Sequence, residues 1–385
     1  MLKIVHLDTG ADLRGGQQQL LMLARGLEGR GHEQLIVTRD GTLLEARARQ
    51  EGFRVFALPA HDPGHAHGIL QLRQRLRAEP FNILHAHDGK GQTISWLASV
   101  GLNVRRVASR RVIYAPARRI DTRLKYGRAC DAVIAVSGFV RQLLIGAGVP
   151  ESKIEVIYDG MEIPEEMPEA ETRAHARAQW NWGCRNQDFV VGMIYQPTYE
   201  KGPDIARDAA FLLEKSLPDA RIVMAVAGSD RLGPELIANP IEGKVVGVDK
   251  SGHRSVEYTS NMRWIVLTKS LADFFAGLDL FIMPSRAEGL GSSALLAMAY
   301  GVPVVASRVG GLPEIIDDGA TGWLIPPSSA EALAQAIVIA AADLVRLREM
   351  GAKARERVRA FSSTIMVERT ETLYEKVIGA GSVQS

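Results

Sequence analysis

Short apolar runs rich in β-branched residues alternate with amphipathic helical stretches along most of this chain. In the helical stretches, leucines recur at the 3.6-residue spacing of one helix face. Such alternation predicts an α/β fold, with mostly parallel sheets that helices cover on both faces. In the first half we expect strands at Leu2–Leu7, Gln34–Thr38, Val55–Leu58, Ile83–His85, Arg106–Ala108, Ala132–Val136 and Ile154–Ile157.

The alternation stops between Asp159 and Gln187, where the chain is polar and contains prolines, and then starts again. Because 385 residues are too many for one ordinary core, we predict two doubly wound, Rossmann-like domains that face each other across a cleft. Their expected bounds are residues 1–165 and 166–360, and residues 361–385 are expected to form a helix that packs back on the first domain. Strands of the second half are expected at Phe189–Ile194, Ile222–Ala227, Trp264–Leu267, Leu280–Met283 and Val304–Ala306.

Composition excludes several classes of function. With 46% apolar and 23% charged residues the chain is typical of a globular protein. It has no apolar run of about 18 residues that could span a membrane. The net charge of +2 argues against general nucleic-acid binding. Only two cysteines, Cys130 and Cys184, and an N-terminus that reads directly as a strand predict a reduced, cytoplasmic protein.

Residues 284–314, PSRAEGLGSSALLAMAYGVPVVASRVGGLPE, hold the densest set of functional signals. A predicted strand ends just before this block, the acid Glu288 lies in the turn that follows, and Gly291 opens a helix of small residues. The backbone amides of Gly291, Ser292 and Ser293 can bind phosphate oxygens, because a helix start carries partial positive charge. An acid beside a phosphate site indicates a ligand with both phosphate and hydroxyl groups, such as a nucleotide sugar.

Other candidate residues also follow predicted strands, which is where ligands bind in open α/β sheets. Gly15 and Gly16 follow the first strand and open a helix, so their amides are further candidates for phosphate binding. Lys201 follows a later strand and can neutralise phosphate. His87 and His85 lie on one face of a strand end. No third metal ligand is visible near them in the sequence, so we expect no metal site.

The stretch Arg105–Arg128 is strongly basic, with eight arginines and Lys125 against one acid, Asp121. Apolar residues are interleaved with the arginines. The stretch is therefore a candidate surface for an anionic acceptor or for peripheral contact with an anionic membrane. The alternative interpretation is an ordinary solvated basic face.

Together these residues make the chain resemble the retaining glycosyltransferases of family 4, which have the two-Rossmann GT-B architecture. The resemblance extends over nearly the whole chain. It is carried by the Gly15-Gly16 loop, NILHAHD at 82–88, AVSGFVRQLL at 135–144, KIEVIYDG at 153–160, EKG at 200–202, the block at 284–314 and the closing FSS…LYEKV helix.

The resemblance implies a retaining transfer of a sugar from a nucleotide-diphosphate sugar to a glycan or lipid-linked acceptor, without metal or cofactor. It also implies a role in bacterial surface polysaccharide or lipopolysaccharide synthesis, in the cytoplasm or at the inner face of the membrane. Lys201 and the glycine-loop and helix-start amides would hold the diphosphate. Glu288 and His87 are the expected catalytic residues: Glu288 would hold sugar hydroxyls, and His87 would lie on the acceptor side of the reacting sugar.

Two positions depart from the family pattern. Leu296 stands where a second glutamate, eight positions after Glu288, usually holds the ribose of the donor. Met193 stands where an arginine usually accompanies Lys201 at the phosphate site. Arg14, beside the glycine loop, is a candidate substitute for that arginine.

The sequence leaves two other functions open. A UDP-sugar 2-epimerase has a similar pair of domains, and it would convert UDP-GlcNAc without an acceptor. A non-catalytic nucleotide-sugar-binding protein is the second alternative, because Leu296 and Met193 depart from the pattern. A nicotinamide-dependent dehydrogenase is disfavoured, since G-x-G-x-x-G does not follow the first strand.

Overall fold

The structure is a computed structural model. It describes residues 1–62, 65–111, 113, 122–166, 170–179, 188–195, 198–227, 244–248, 254–259, 262–267 and 271–382. The chain forms two compact units: unit 1 comprises Met1–Gly160 and Phe361–Ser385, and unit 2 comprises Met161–Ala360. Each unit is built on a mostly parallel sheet, which confirms the predicted pair of doubly wound α/β units.

Unit 1 has a seven-stranded, fully parallel sheet in the order β3-β2-β1-β4-β5-β6-β7. The strand order reverses between β1 and β4. Its strands are β1 Lys3–Leu7, β2 Glu33–Arg39, β3 Arg54–Leu58, β4 Ile83–Ala86, β5 Arg105–Arg110, β6 Ala132–Ala135 and β7 Ile154–Val156. Its helices are α1 Gly15–Gly29, α2 Leu43–Gln50, α3 Ala66–Ala78, α4 Gly89–Ser99 and α5 Gly138–Gly146, with a π-helical turn at Arg123–Arg128 and a 3-10 turn at Glu151–Lys153.

The last helix of the chain, Ser363–Ser382, packs against α1 in unit 1. Gly26 allows this close approach, because a Cβ there would lie 2.3 Å from Cγ2 of Val367. Unit 1 ends at Gly160, five residues before the boundary expected at 165. The backbone of Gly160 is tied to α1 by Gln19, which accepts from its amide at 2.9 Å and donates to its carbonyl at 2.8 Å.

Unit 2 has an eight-stranded sheet in the order β10-β11-β12-β9-β8-β13-β14-β15. Its order reverses between β8 and β13. The strands are β8 Phe189–Tyr195, β9 Ala220–Ala227, β10 Lys244–Val248, β11 Arg254–Thr259, β12 Met262–Leu267, β13 Leu280–Met283, β14 Val304–Ser307 and β15 Gly322–Ile325. The helices are α6 Ala170–Gln179, α7 Pro203–Ser216, α8 Leu271–Ala276, α9 Ser292–Ala299, α10 Leu312–Ile315, α11 Ala330–Ala342 and α12 Leu344–Val358, with 3-10 turns at Tyr199–Lys201 and Arg359–Phe361; the C-terminal helix of unit 1 is α13.

One edge of the sheet in unit 2 differs from the prediction. β10 pairs with β11, and β11 with β12, in antiparallel fashion, whereas the other strand pairs are parallel. The sequence pattern predicted β12 but neither β10 nor β11. Apolar residues alternate with polar ones in β11, RSVEYT, so this strand lacks the continuous apolar run of a buried parallel strand.

In the described part of the chain, no helix is both long enough and apolar enough to cross a membrane.

Candidate active site

The predicted functional residues of unit 2 lie where its strand order reverses. In an open α/β sheet the crevice beyond the carboxyl ends of the strands at such a point is the usual ligand site. Lys201 follows β8 and Glu288 follows β13, and these two strands are neighbours in the sheet. The fold therefore brings together two side chains that are 87 positions apart in the sequence.

Lys201 and Glu288 form an ion pair, with 2.7 Å between Nζ and Oε2. The side chains are 25% and 11% exposed, so the pair is largely shielded but can be reached from solvent. Gly202 makes the contact of the two loops possible. Its φ is +65°, and a Cβ there would lie 2.2 Å from the carbonyl oxygen of Pro284.

Arg286 holds the same two loops together. Its guanidinium donates two hydrogen bonds to Asp204, at 2.8 and 2.6 Å, and one to the carbonyl of Tyr199 at 2.9 Å. The guanidinium also stacks over the Tyr199 ring at 4.0 Å. The Arg286 amide donates to the carbonyl of Glu200 at 2.7 Å. A bidentate arginine fixes orientation as well as distance, so Arg286 sets the position of the loop that carries Lys201.

A second turn supports Glu288 from the opposite side of its backbone. Gly310 has a φ of +57°, and a Cβ there would lie 1.7 Å from the carbonyl oxygen of Glu288. The amide of Gly311 donates to that same oxygen at 3.3 Å. The two ends of the 284–314 block therefore contact each other, and the glycine pair is required by this contact.

Helix α9 starts beside this pair. Gly291 precedes it with a φ of +113° and has no side chain to cap the helix. Because the first amides of a helix have no intrahelical acceptor, those of Ser292 and Ser293 are available to a ligand. Leu296 is half-buried and lies one turn further along the same helix.

A small recess of about 20 Å³ lies at the ends of β8 and β13 and is lined by Met193, Lys201, Ser285 and Ser293, among others. The hydroxyl of Ser285 is fully buried and has no hydrogen-bond partner among the described residues. Met193, at the position where the family usually has arginine, is 3% exposed and belongs to the apolar core. The recess is therefore lined mostly by apolar side chains, and its polar side-chain groups are an ammonium and two hydroxyls.

In unit 1 the predicted residues also lie at the reversal of strand order, after β1 and β4. No atom of the described residues lies within 4 Å of a Cβ placed on Gly15, and a Cβ on Gly16 would have its nearest neighbour, Cδ of Arg111, at 3.9 Å. Packing among the described residues therefore does not require glycine at either position. Arg14 is 74% exposed and pairs with Asp12 at 2.7 Å.

The expectation that no third metal ligand lies near His85 and His87 is wrong. β1 and β4 are adjacent, and their register sets His6 opposite His85. The ring of His87 lies 4.0 Å from that of His85 and 5.2 Å from that of His6. One nitrogen of each histidine lies within 4.8 Å of one nitrogen of each of the others.

The three histidines form hydrogen bonds through all six ring nitrogens. His85 contacts the hydroxyls of Tyr374 at 2.6 Å and Ser109 at 2.8 Å. His6 and His87 contact each other at 3.0 Å, and their remaining nitrogens face Gln34 and Arg111. A metal would have to displace these partners next to a guanidinium. The cluster is better described as a hydrogen-bond network than as a ligand set.

Burial keeps this cluster uncharged. It lowers the pKa of His6 to about 4, against a smaller opposing effect of the hydrogen bond with Gln34. Burial also lowers the pKa of His85 and of His87 well below the usual value, and neighbouring histidines and Arg111 act in the same direction. A neutral imidazole has one donor and one acceptor nitrogen, so the partners of each ring decide which nitrogen carries the proton.

The basic stretch Arg105–Arg128 is only partly described, because residue 112 and residues 114–121 lie outside the described residues. At its start, Arg105 and Arg106 form ion pairs with Asp131. Arg111 forms an ion pair with Asp159. Contact of this stretch with a membrane stays a prediction.

Sequence reasoning missed several residues that shape both sites. They are His6, Gln34 and Arg111 in unit 1, and Ser285 and Arg286 in unit 2. Only His6 had a usable signal. It lies at the second-last position of the first predicted strand, as His85 lies near the end of the strand that becomes its neighbour.

Comparison with known proteins defines the class. A family model described as "Glycosyltransferase Family 4" matches residues 13–163, and one described as "Glycosyl transferases group 1" matches residues 188–343. With the two doubly wound units, these matches make the chain a nucleotide-sugar glycosyltransferase of the GT-B class. Within that class, it belongs to family 4.

Two curated relatives show how the similarity is distributed. The D-inositol 3-phosphate glycosyltransferase of Streptomyces scabiei is 28% identical over 71% of this chain, and the match spans 63% of that protein, less than two thirds of its length. The GDP-mannose-dependent alpha-(1-6)-phosphatidylinositol monomannoside mannosyltransferase of Mycolicibacterium smegmatis is 29% identical over 67% of this chain and 68% of its own.

Solved structures share the fold over nearly the whole length. Anabaena Alr3699/HepE in complex with UDP-glucose has a TM-score of 0.81 and 20% identity, covering 97% of this chain and 100% of its own. A glycosyltransferase from Rickettsia africae also has a TM-score of 0.81, with 21% identity and 98% of each chain covered. At these identities the likeness supports the fold alone.

Proposed function

We propose that this protein transfers a sugar, with retention of anomeric configuration, from a nucleotide-diphosphate sugar to a hydroxyl of a glycan or lipid-linked acceptor. The proposal includes catalysis without a metal or cofactor. It also includes a role in bacterial surface polysaccharide or lipopolysaccharide synthesis, in the cytoplasm or at the inner face of the membrane. Two relatives whose names specify inositol phosphate and phosphatidylinositol acceptors support a phosphorylated or lipid-linked acceptor.

The observation that carries the proposal is the pairing of Lys201 with Glu288 beside the start of α9. One ammonium and the amides of Ser292 and Ser293 can neutralise a diphosphate, and the adjacent carboxylate can accept hydrogen bonds from sugar hydroxyls. A ligand with both groups fits this set. The ion pair is broken when the ligand binds, because Lys201 then faces phosphate and Glu288 faces the sugar.

The chemical argument rests on charge that develops on the leaving group. Cleavage of the bond to the sugar leaves negative charge on the nucleoside diphosphate, and fixed donors stabilise that charge more in the transition state than in the bound donor. Lys201 and the α9 amides are such donors. In unit 1, Gly15 and Gly16 remain the predicted phosphate-binding amides, and His87 the predicted residue near the reacting sugar.

The test compares Lys201→Ala with Lys215→Ala, an exposed lysine on α7 of the same unit. A panel of UDP-, GDP- and ADP-sugars is first screened for thermal stabilisation, since a ligand of the folded state raises apparent stability. With the donor found in this way, Lys201→Ala should lower turnover at least about tenfold. Loss of one charged donor typically costs about 2–4 kcal/mol of transition-state stabilisation, and 1.36 kcal/mol corresponds to one decade.

Turnover of Lys201→Ala equal to that of Lys215→Ala at saturating donor would contradict the assignment of Lys201. An assay of UDP-GlcNAc without acceptor separates the alternatives. Epimerised sugar would support the 2-epimerase, and the absence of both donor hydrolysis and transfer with every donor tested would support a non-catalytic binding protein.

A further inference from the structure

Arg111 is held on two sides at the end of β5. Its Nε donates to Oδ1 of Asp159 at 2.9 Å, and its Nη1 lies 3.3 Å from Nδ1 of His87. The side chains of Arg111 and Asp159 are 15% and 9% exposed, so the guanidinium has little freedom to rotate. Its Nη2 has no hydrogen-bond partner among the residues that the structure describes.

The protonation of His87 follows from a residue on another strand, Gln34. The amide nitrogen of Gln34 donates to the carbonyl of His32 at 3.2 Å, so its oxygen must be the atom that faces His6. That oxygen lies 2.8 Å from Nε2 of His6, which must therefore carry the proton. Nδ1 of the neutral His6 is then an acceptor.

The same logic extends to the next ring. Nδ1 of His6 lies 3.0 Å from Nε2 of His87, so Nε2 of His87 carries the proton and donates it. Nδ1 of His87 is left with a lone pair, and it accepts from the guanidinium of Arg111. Arg111, His87, His6 and Gln34 thus form one row of hydrogen bonds. Each group in this hydrogen-bond row donates to the next one, and the last acceptor is the oxygen of Gln34.

These hydrogen bonds leave His87 without a free nitrogen, whereas both N–H groups on Nη2 of Arg111 lack a partner among the described residues. Arg111 lies beside the start of α1, because a Cβ on Gly16 would have Cδ of Arg111 as its nearest described neighbour. The first turn of α1 contains no acidic residue. A guanidinium with two free N–H groups in such a place suits a phosphate oxygen, for which arginine has matching geometry.

We propose that Arg111 contacts the substrate in unit 1 by donating from Nη2 to a phosphate oxygen, and that His87, His6 and Gln34 are residues that position it. This inference rests on the proposed function, because it assigns Arg111 to the same reaction. The phosphate belongs either to the diphosphate of the donor or to a phosphorylated acceptor.

The first test compares Arg111→Met with Arg49→Met. Arg49 serves as the control because it lies on α2 of the same unit, is 55% exposed and pairs with Glu45. Calorimetric titration with UDP, GDP and inositol 3-phosphate measures affinity. Arg111→Met should weaken binding of at least one probe about tenfold or more, and Arg49→Met should change it less than about twofold. Weakened UDP or GDP binding identifies the donor phosphate, and weakened binding of inositol 3-phosphate alone identifies an acceptor phosphate. Unchanged affinity for all three probes would overturn the proposal.

The second test addresses the hydrogen bonds by which Gln34, His6 and His87 position Arg111. Nitrogen-15 spectra of histidine-labelled wild type should show His6 and His87 as Nε2–H tautomers at neutral pH, and an Nδ1–H tautomer of His87 would overturn the proposal. Gln34→Met is nearly isosteric and removes the acceptor for His6. It should weaken probe binding about two- to fivefold in wild type and have no effect when combined with Arg111→Met, because groups that act through one contact are not additive. If Gln34→Met weakens probe binding equally in wild type and in Arg111→Met, Gln34 has a general structural role. That result would refute the claim that Gln34 acts on the phosphate through Arg111. The wild-type spectrum decides the point even if Gln34→Met does not fold.

These results are separable from failure of the proposed function. If Lys201→Ala abolishes transfer and Arg111→Met changes nothing, the function stands and the role of Arg111 falls. If no transfer is found with any donor but phosphate probes still bind through Arg111, the function falls and the phosphate contact stands.

Discussion

Replacing Gly310 by alanine tests whether the second turn of the 284–314 block fixes Glu288. An ideal Cβ at position 310 would lie 1.7 Å from the carbonyl oxygen of Glu288, whereas real Cβ contacts are essentially never below 3.0 Å. The two backbones must therefore separate by more than 1 Å. That movement also breaks the hydrogen bond in which the Gly311 amide donates to the same oxygen.

The matched control is Gly319→Ala in the same unit. Gly319 has a φ of +76° and Gly310 a φ of +57°, so both alanines bear the strain of a left-handed backbone, about 1–2 kcal/mol. Among the residues that the structure describes, no atom lies within 4 Å of a Cβ on Gly319. Subtracting the control removes the strain common to both variants and leaves the effect of the displaced Glu288.

We expect Gly319→Ala to lower the thermal midpoint of unit 2 by about 2–8 °C and to leave turnover within about twofold of wild type. Gly310→Ala should lower the midpoint further and reduce turnover on the order of 100-fold, since a misplacement of about 1 Å at a reacting site can cost that much. Initial rates of nucleoside diphosphate release, measured well below both midpoints, make the comparison. Equal turnover of the two folded variants would refute the claim that this turn positions Glu288.

Two further predictions concern pH and the loop contact. The pKa of His6 is about 4 in the folded protein and 6.5 ordinarily. As pH falls, the unfolded protein therefore binds this proton before the folded protein does. The free energy of unfolding should decrease as pH falls from about 6.5 to 4, by roughly 3 kcal/mol from His6 alone. Urea unfolding at several pH values checks this, and His6→Phe should flatten the dependence; a wild-type stability that is constant over this range would contradict it. Arg286→Lys keeps the charge but loses the two-pronged contact with Asp204, and we expect about a tenfold loss of turnover. Arg308→Lys, at an exposed arginine, is its control, and equal turnover of the two would show that Arg286 does not position the loops.

Much of the fold was predictable because a parallel strand, covered by helices on both faces, has a continuous apolar run. Strands such as β1, β4 and β13 were recognised for this reason. The antiparallel strands β10 and β11 were not, since Gly247 interrupts the apolar residues of β10 and polar residues interrupt those of β11. The strand β15, GWLI, was missed because it starts with a glycine and ends directly before two prolines, so it resembles part of a turn.

The candidate site was predictable only where function follows local sequence order. Lys201 and Glu288 were found because each comes directly after a strand and beside a glycine turn. His6, Gln34 and Arg111 were missed because their roles depend on register between strands, and sequence spacing gives no register for parallel strands joined by helices. The same limit explains why the sequence shows His85 and His87 as a pair and does not show that His6 lies beside them.

The departure at Met193 has a structural consequence that extends beyond one missing charge. Met193 is buried in the core below the recess, so an arginine there would place a guanidinium beside Lys201, whereas with methionine the charged partner of Lys201 among the described residues is Glu288. Under the proposed function, Lys201 exchanges the carboxylate of Glu288 for phosphate when a donor binds, and a sugar hydroxyl can then donate to Glu288. A nucleoside diphosphate without a sugar leaves Glu288 to water alone. We therefore expect the ion pair to favour the intact donor over the product.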